Sequence, residues 1–115
     1  MADFTLKQND TSPAIQARLK NKDGTTVTLT GATVRFSMRH KVTKAVKVNR
    51  ATATILSATP PADAAEANVE YPWVAADTDI DGSYEAEWEV TYSGGAIQTF
   101  PDYLFNEIII TQQVA

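Results

Sequence analysis

Between Tyr84 and Tyr92 the chain alternates without a break. Tyr84, Ala86, Trp88, Val90 and Tyr92 are apolar, and Glu85, Glu87, Glu89 and Thr91 stand between them. A period of two places successive side chains on opposite faces of a pleated strand, so one face enters a core and the other meets water. Shorter runs repeat the pattern. Ile15, Ala17 and Leu19 alternate with Gln16, Arg18 and Lys20; Val34, Phe36 and Met38 with Arg35, Ser37 and Arg39; Val69, Tyr71 and Trp73 with Glu70 and Pro72. The dominant period is two and not 3.6, which predicts an all-β chain.

Turn chemistry separates the runs. Lys22-Asp23-Gly24-Thr25 predicts a hairpin turn into a Val27/Leu29 strand, and Thr30-Gly31 a break before strand 33–39. Pro60-Pro61 stops a Thr52–Ser57 strand, and Ser93-Gly94-Gly95 joins strand 83–92 to strand 96–100. Ala62–Ala67 is the one stretch with helical composition and is too short to stand alone. Leu104–Thr111 is nearly continuous and apolar, so that strand must be central in its sheet or covered by a partner. About eight short strands with turns every 8–12 residues predict an antiparallel β-sandwich in a single domain, residues 1–115. Gly82-Ser83-Tyr84 resembles the tyrosine corner of immunoglobulin-like sandwiches, where a Tyr near a strand start bonds back to upstream backbone; plain aromatic filling of the core is the other reading.

The net charge of −4 conceals a partition. Residues 1–57 hold all ten Lys and Arg against Asp3, Asp10 and Asp23, a net +7, while residues 58–115 hold eleven acids and no Lys or Arg, a net −11. Strands of the two halves must share sheets, so opposite charges meet either within the fold or between copies. Glu85, Glu87 and Glu89 form an acidic ladder that repels itself unless a neighbour supplies cations. Strand 33–39, with Arg35 and Arg39 on one face, supplies them if it lies beside strand 83–92. Alternatively the ladder meets a basic face on another subunit. The candidate interface residues are therefore Glu85, Glu87, Glu89, Arg35 and Arg39.

Other chemistry is thin. Cys is absent, which excludes disulfides, thiolate metal sites and a cysteine nucleophile. The single His, His40, sits between Arg39 and Lys41, so any His-dependent catalytic triad rests on it; no catalytic residue, enzyme activity or cofactor is expected. Asp77, Asp79 and Asp81 with Gly82 match the first half of a calcium loop, but Trp88 stands where the bidentate Glu belongs, and a polar Asp-rich turn is the plainer reading. Nine cations from Arg18 to Arg50 invite nucleic acid, yet only Phe36 lies among them as a stacking platform, and no nucleic-acid partner is expected. The first residues show neither basic nor apolar signal regions, and apolar runs such as Ile108–Ile110 fall far short of the about 20 residues of a membrane span; no secretion signal or membrane partner is expected.

Three blocks resemble the N-terminal domain of phage baseplate upper proteins. They are Phe4–Pro13, Leu29–Arg39 and Gly82–Tyr92, with Gln98–Leu104 similar to the family's closing hairpin. The resemblance implies an immunoglobulin-like antiparallel β-sandwich of about eight strands that serves as a bacteriophage virion structural protein. Such a protein acts by protein–protein contact, as a capsid decoration or a tail, baseplate or neck component. Its implied partners are other virion proteins, in multiple copies or as a homo-oligomer, and its implied location is the virion, assembled in the host cytoplasm. The alternative is a host-surface or carbohydrate-binding adhesion module, with Tyr71, Trp73, Tyr92 and Tyr103 as sugar-stacking candidates.

Overall fold

In a computed structural model of the chain, residues 4–21, 24–57, 67–101 and 106–114 are described. Those residues form nine strands in two sheets, and the fold is all-β. The strands are β1 (Phe4–Lys7), β2 (Ile15–Ala17), β3 (Thr33–His40), β4 (Val46–Thr52) and β5 (Thr54–Ile55), followed by β6 (Val69–Tyr71), β7 (Gly82–Thr91), β8 (Ile97–Phe100) and β9 (Asn106–Thr111). The larger sheet runs β1-β9-β7-β3-β4, with β8 also paired to β7; the smaller runs β2-β6-β5.

The period-two runs become β2, β3, β6 and β7, and their apolar members face inward. Val34, Phe36 and Met38 of β3 and Tyr84, Ala86, Trp88 and Val90 of β7 are buried from the large sheet, Ile15, Val69 and Tyr71 from the small one. Phe36 stacks on Tyr71 with ring centroids 4.7 Å apart, and Trp88 lies 4.8 Å from Phe36, so aromatic packing joins the two layers. The apolar last strand is interior, as its composition requires: β9 lies between β1 and β7. Leu104 and Phe105 of the expected run lie outside the described residues. The Ser93-Gly94-Gly95 turn closes through Tyr92 N–H donating to Ala96 O and Gly95 N–H to Tyr92 O, both 2.8 Å.

Three expectations are corrected. The sandwich is not purely antiparallel, because β1 pairs with β9 in parallel, from Phe4↔Ile108 to Lys7↔Thr111. No strand forms at Val27 and Leu29. Both are buried, but the only ladder contact there is the isolated Lys20↔Thr26 bridge, and Lys22 and Asp23 of the turn lie outside the described residues. The Thr52–Ser57 strand is divided: Thr52 ends β4 in the large sheet, Ala53 is buried at the crossing, and Thr54–Ile55 joins the small sheet. Strand β4 itself has no clean period-two signature, because it carries two register shifts. Phe36↔Ala51 is followed by Met38↔Val48 and then Arg39↔Val46, so extra residues of β4 bulge out twice. The helical candidate lies outside the described residues at 62–66.

Candidate charged face of the large sheet

Strand β3 pairs antiparallel with β7 over eight residues, and the register sets Arg39 opposite Glu85, Ser37 opposite Glu87 and Arg35 opposite Glu89. The acidic ladder and the Arg pair thus share one outer face inside a single chain. Arg39 Nε donates to Glu85 Oε1 at 2.7 Å, and Lys44 Nζ reaches the same oxygen at 2.9 Å. Two cations converging on Glu85 explain how a residue on the nominal solvent face is buried. The Lys44 hydrogen bond holds its carboxyl below the ordinary range; burial opposes this, and the Arg39 bond adds to it.

The other expected pair does not form as read. Arg50, on the bulged β4, reaches across β3 and donates to Glu89, while Arg35 donates instead to the Arg50 carbonyl at 3.3 Å. Arg50 has a φ of +50°, and its N–H is held by Ser37 Oγ at 3.1 Å. The bulge aims this cation, and an alternation pattern contains no trace of it. Two further pairs extend the network, Lys41 with Glu107 on β9 and Lys47 with Asp79. The Glu107 hydrogen bond and charge raise the Lys41 pKa. Five cations of the basic half are thereby committed to acids of the other half.

Glu87 differs. It is exposed and has no hydrogen-bond or ion-pair partner among the described residues; Ser37 opposite it accepts from the Arg50 N–H. It lines a groove of about 290 Å³ with Ser37, Met38, Arg39, Val46, Asn49 and Glu85. Val46 on this wall is 62% exposed. The groove therefore offers an apolar wall and an unneutralised carboxylate, a combination suited to the stem and head of a long basic side chain.

Two of the three Asp residues of the half calcium loop are drawn to different partners, and Asp81 is exposed. Asp77 is buried in a 3-10 turn, Ala75–Asp77, where Tyr71 O–H (2.6 Å) and Val74 N–H (3.0 Å) donate to its carboxylate. Asp79 holds Lys47. Among the described residues no group of three or more His, Cys, Asp or Glu side chains could hold a metal ion. Burial, followed by the Asp77 bond, raises the Tyr71 hydroxyl pKa well above its usual value.

His40 serves the local structure. Its Nδ1 accepts from the backbone N–H groups of Val42 (3.2 Å) and Thr43 (3.3 Å), which places the ring proton on Nε2. Its ring meets Tyr84 edge-on at 5.2 Å. Of the sugar-stacking candidates, Tyr71 and Trp73 are buried, Tyr92 is half-buried with its hydroxyl bonded to Gln98, and Tyr103 lies outside the described residues. A buried Asn68 escaped sequence reading. Its side-chain oxygen accepts from Leu19 N–H at 2.9 Å, extending the β2–β6 edge by a side chain acting as backbone.

Compared with family models, curated proteins and solved structures, the chain matches none of them.

Proposed function

We propose that this protein is an immunoglobulin-like β-sandwich that acts as a bacteriophage virion structural protein, through contact with capsid or tail subunits and with copies of itself. Strand order supports the finer fold reading. The sheets β2-β6-β5 and β9-β7-β3-β4 correspond to the B-E-D and G-F-C-C′ orders of variable-type immunoglobulin sandwiches. Tyr84 at the start of β7 supports it too: its ring is buried and its hydroxyl donates to Ile80 O at 2.7 Å, the geometry of a tyrosine corner.

One observation carries the contact reading: Glu87 stands unpaired beside an apolar-walled groove on a face where its neighbours Glu85 and Glu89 are already neutralised. A partner presenting Lys or Arg gains a charge pair there without breaking one inside the domain. The test adds purified protein to phage particles that lack it, alongside a glycan panel. Rebinding to particles by the parent, loss of rebinding in Glu87→Lys, and an unchanged urea midpoint in that variant are expected. Glycan binding without particle binding, or full rebinding by Glu87→Lys, overturns the reading.

A further inference from the structure

The turn between β3 and β4 hangs on one residue. His40 ends β3, and its backbone closes the turn twice: its N–H donates to Ala45 O at 2.8 Å, and its carbonyl accepts from Lys44 N–H at 2.9 Å. Lys41 N–H donates to Ser83 O on β7, and Ala45 N–H to Thr43 Oγ1 at 3.3 Å. The two donors that remain, Val42 N–H and Thr43 N–H, both end on His40 Nδ1. Two of the five N–H groups from Lys41 to Ala45 thus depend on a lone pair that a proton can occupy.

Little competes for the ring from outside. It packs edge-on against Tyr84 and over Gly82 of β7, and the Tyr84 hydroxyl is spent on Ile80 O. Arg39 and Lys41 flank it in sequence, and Lys44 stands in the turn; Glu85 and Glu107 hold those cations, and Asp81 precedes Gly82. No carboxylate among the described residues pairs with the ring, so no ion pair replaces the two bonds when Nδ1 takes a proton. Lys44 carries the effect outward. Its φ of +64° is a conformation that a residue with a Cβ keeps only where its surroundings hold it, and its Nζ sits 2.9 Å from Glu85 Oε1, on the wall of the Glu87 groove.

We propose that His40 is a proton-operated latch on the β3–β4 turn. With Nδ1 unprotonated the turn is closed and Lys44 rests on Glu85. A proton on Nδ1 converts the acceptor into a donor facing two other donors; the turn opens and Lys44 withdraws. Imidazole is the side chain whose charge ordinarily changes between about pH 5 and 8. The Glu85 carboxyl, held below the usual carboxylate range first by Lys44 and then by Arg39, keeps its charge through that window. Acidification therefore leaves Glu85 with Arg39 alone, beside the unpaired Glu87, and makes the groove more acidic. The latch rests on the geometry of the turn and holds whether or not the groove takes a partner.

The experiment is an NMR titration of the isotope-labelled full chain from about pH 8 to about pH 5. As the His40 ring signals titrate, amide exchange at Val42 and Thr43, corrected for its intrinsic pH dependence, should rise about fivefold or more. The Glu85 carboxyl carbon should shift with the same midpoint, while the amides of Phe36 and Val90 in the centre of the sheet stay unchanged. His40→Asn sets an amide oxygen near the place of Nδ1, an acceptor for N–H groups two or three residues on that takes no proton; its turn should stay closed across the window. Should that variant not fold, the midpoints of the parent decide alone. Four results overturn the latch: a ring that titrates while Val42 and Thr43 do not respond, a ring still neutral at about pH 5, a turn midpoint more than about one pH unit from that of the ring, or an equal opening in His40→Asn.

Discussion

Gly82 opens β7 with a φ of +143°, a conformation that side chains with a Cβ rarely adopt. A Cβ added there meets His40 Nε2 at 2.8 Å and Cδ2 at 3.3 Å. The ring cannot simply swing aside. Two backbone N–H groups hold its Nδ1, and its edge packs on Tyr84. Gly82→Ala therefore combines backbone strain of about 1–3 kcal/mol with a steric displacement of about 1–3 kcal/mol. The expected loss is about 3–4 kcal/mol by urea denaturation, or a fall in Tm of about 10 °C or more for a chain of this size. A double-mutant cycle with His40→Ala separates the two parts, because removing the ring removes the collision and leaves the strain. Gly82→Ala should cost about 1–3 kcal/mol less in the His40→Ala background than in the parent. A Gly82→Ala loss below about 0.5 kcal/mol refutes the whole argument. A full loss with no coupling to His40 refutes the collision and leaves the dihedral as its cause.

Tyr84→Phe removes the bond to Ile80 O while keeping the ring, and should cost about 1 kcal/mol in the same urea assay. Glu85→Gln should cost about 1 kcal/mol at neutral pH, since the partner cations are half exposed. Because the folded Glu85 pKa is lowered, its contribution is present above the unfolded value near 4.5 and is lost as pH falls through the folded value; the variant should show a flatter acid limb in pH-resolved melts. Tyr71→Phe leaves the buried Asp77 carboxylate with only the Val74 N–H, at a cost of about 1–3 kcal/mol. The folded Tyr71 pKa is raised, so its contribution is complete below about pH 10 and declines above it; alkaline unfolding should be less steep in the variant.

How far alternation can be read is clear from individual strands. Tyr84–Val90 and Val34–Met38 had to face one core, which placed the Glu ladder and the Arg pair on one outer face, and the Arg39–Glu85 bond follows. Strand β4 was hidden because each bulge resets the phase of Val46–Thr52, and the same bulges substitute Arg50 for Arg35 at Glu89. Val27 and Leu29 show the converse: an extended segment can bury alternate residues without acquiring a ladder partner, and side chains alone do not distinguish the two. Burial of Glu85 depends on Lys44, whose φ of +64° lies in a turn that no periodicity encodes. The candidate groove beside Glu87 was half legible. Its β3 and β7 walls come from the pattern, and its Val46–Asn49 wall comes from the bulges.

The parallel pairing of β1 with β9 also governs how the domain carries load. The strands run in the same direction, with Phe4 beside Ile108 and Lys7 beside Thr111. Tension applied through Phe4 and Thr111 pulls β1 backward and β9 forward along their shared axis. The rungs between them are then loaded in shear, and all must yield together instead of opening one after another like a zipper. Because β9 is anchored on its other side by β7, the force passes into the centre of the large sheet.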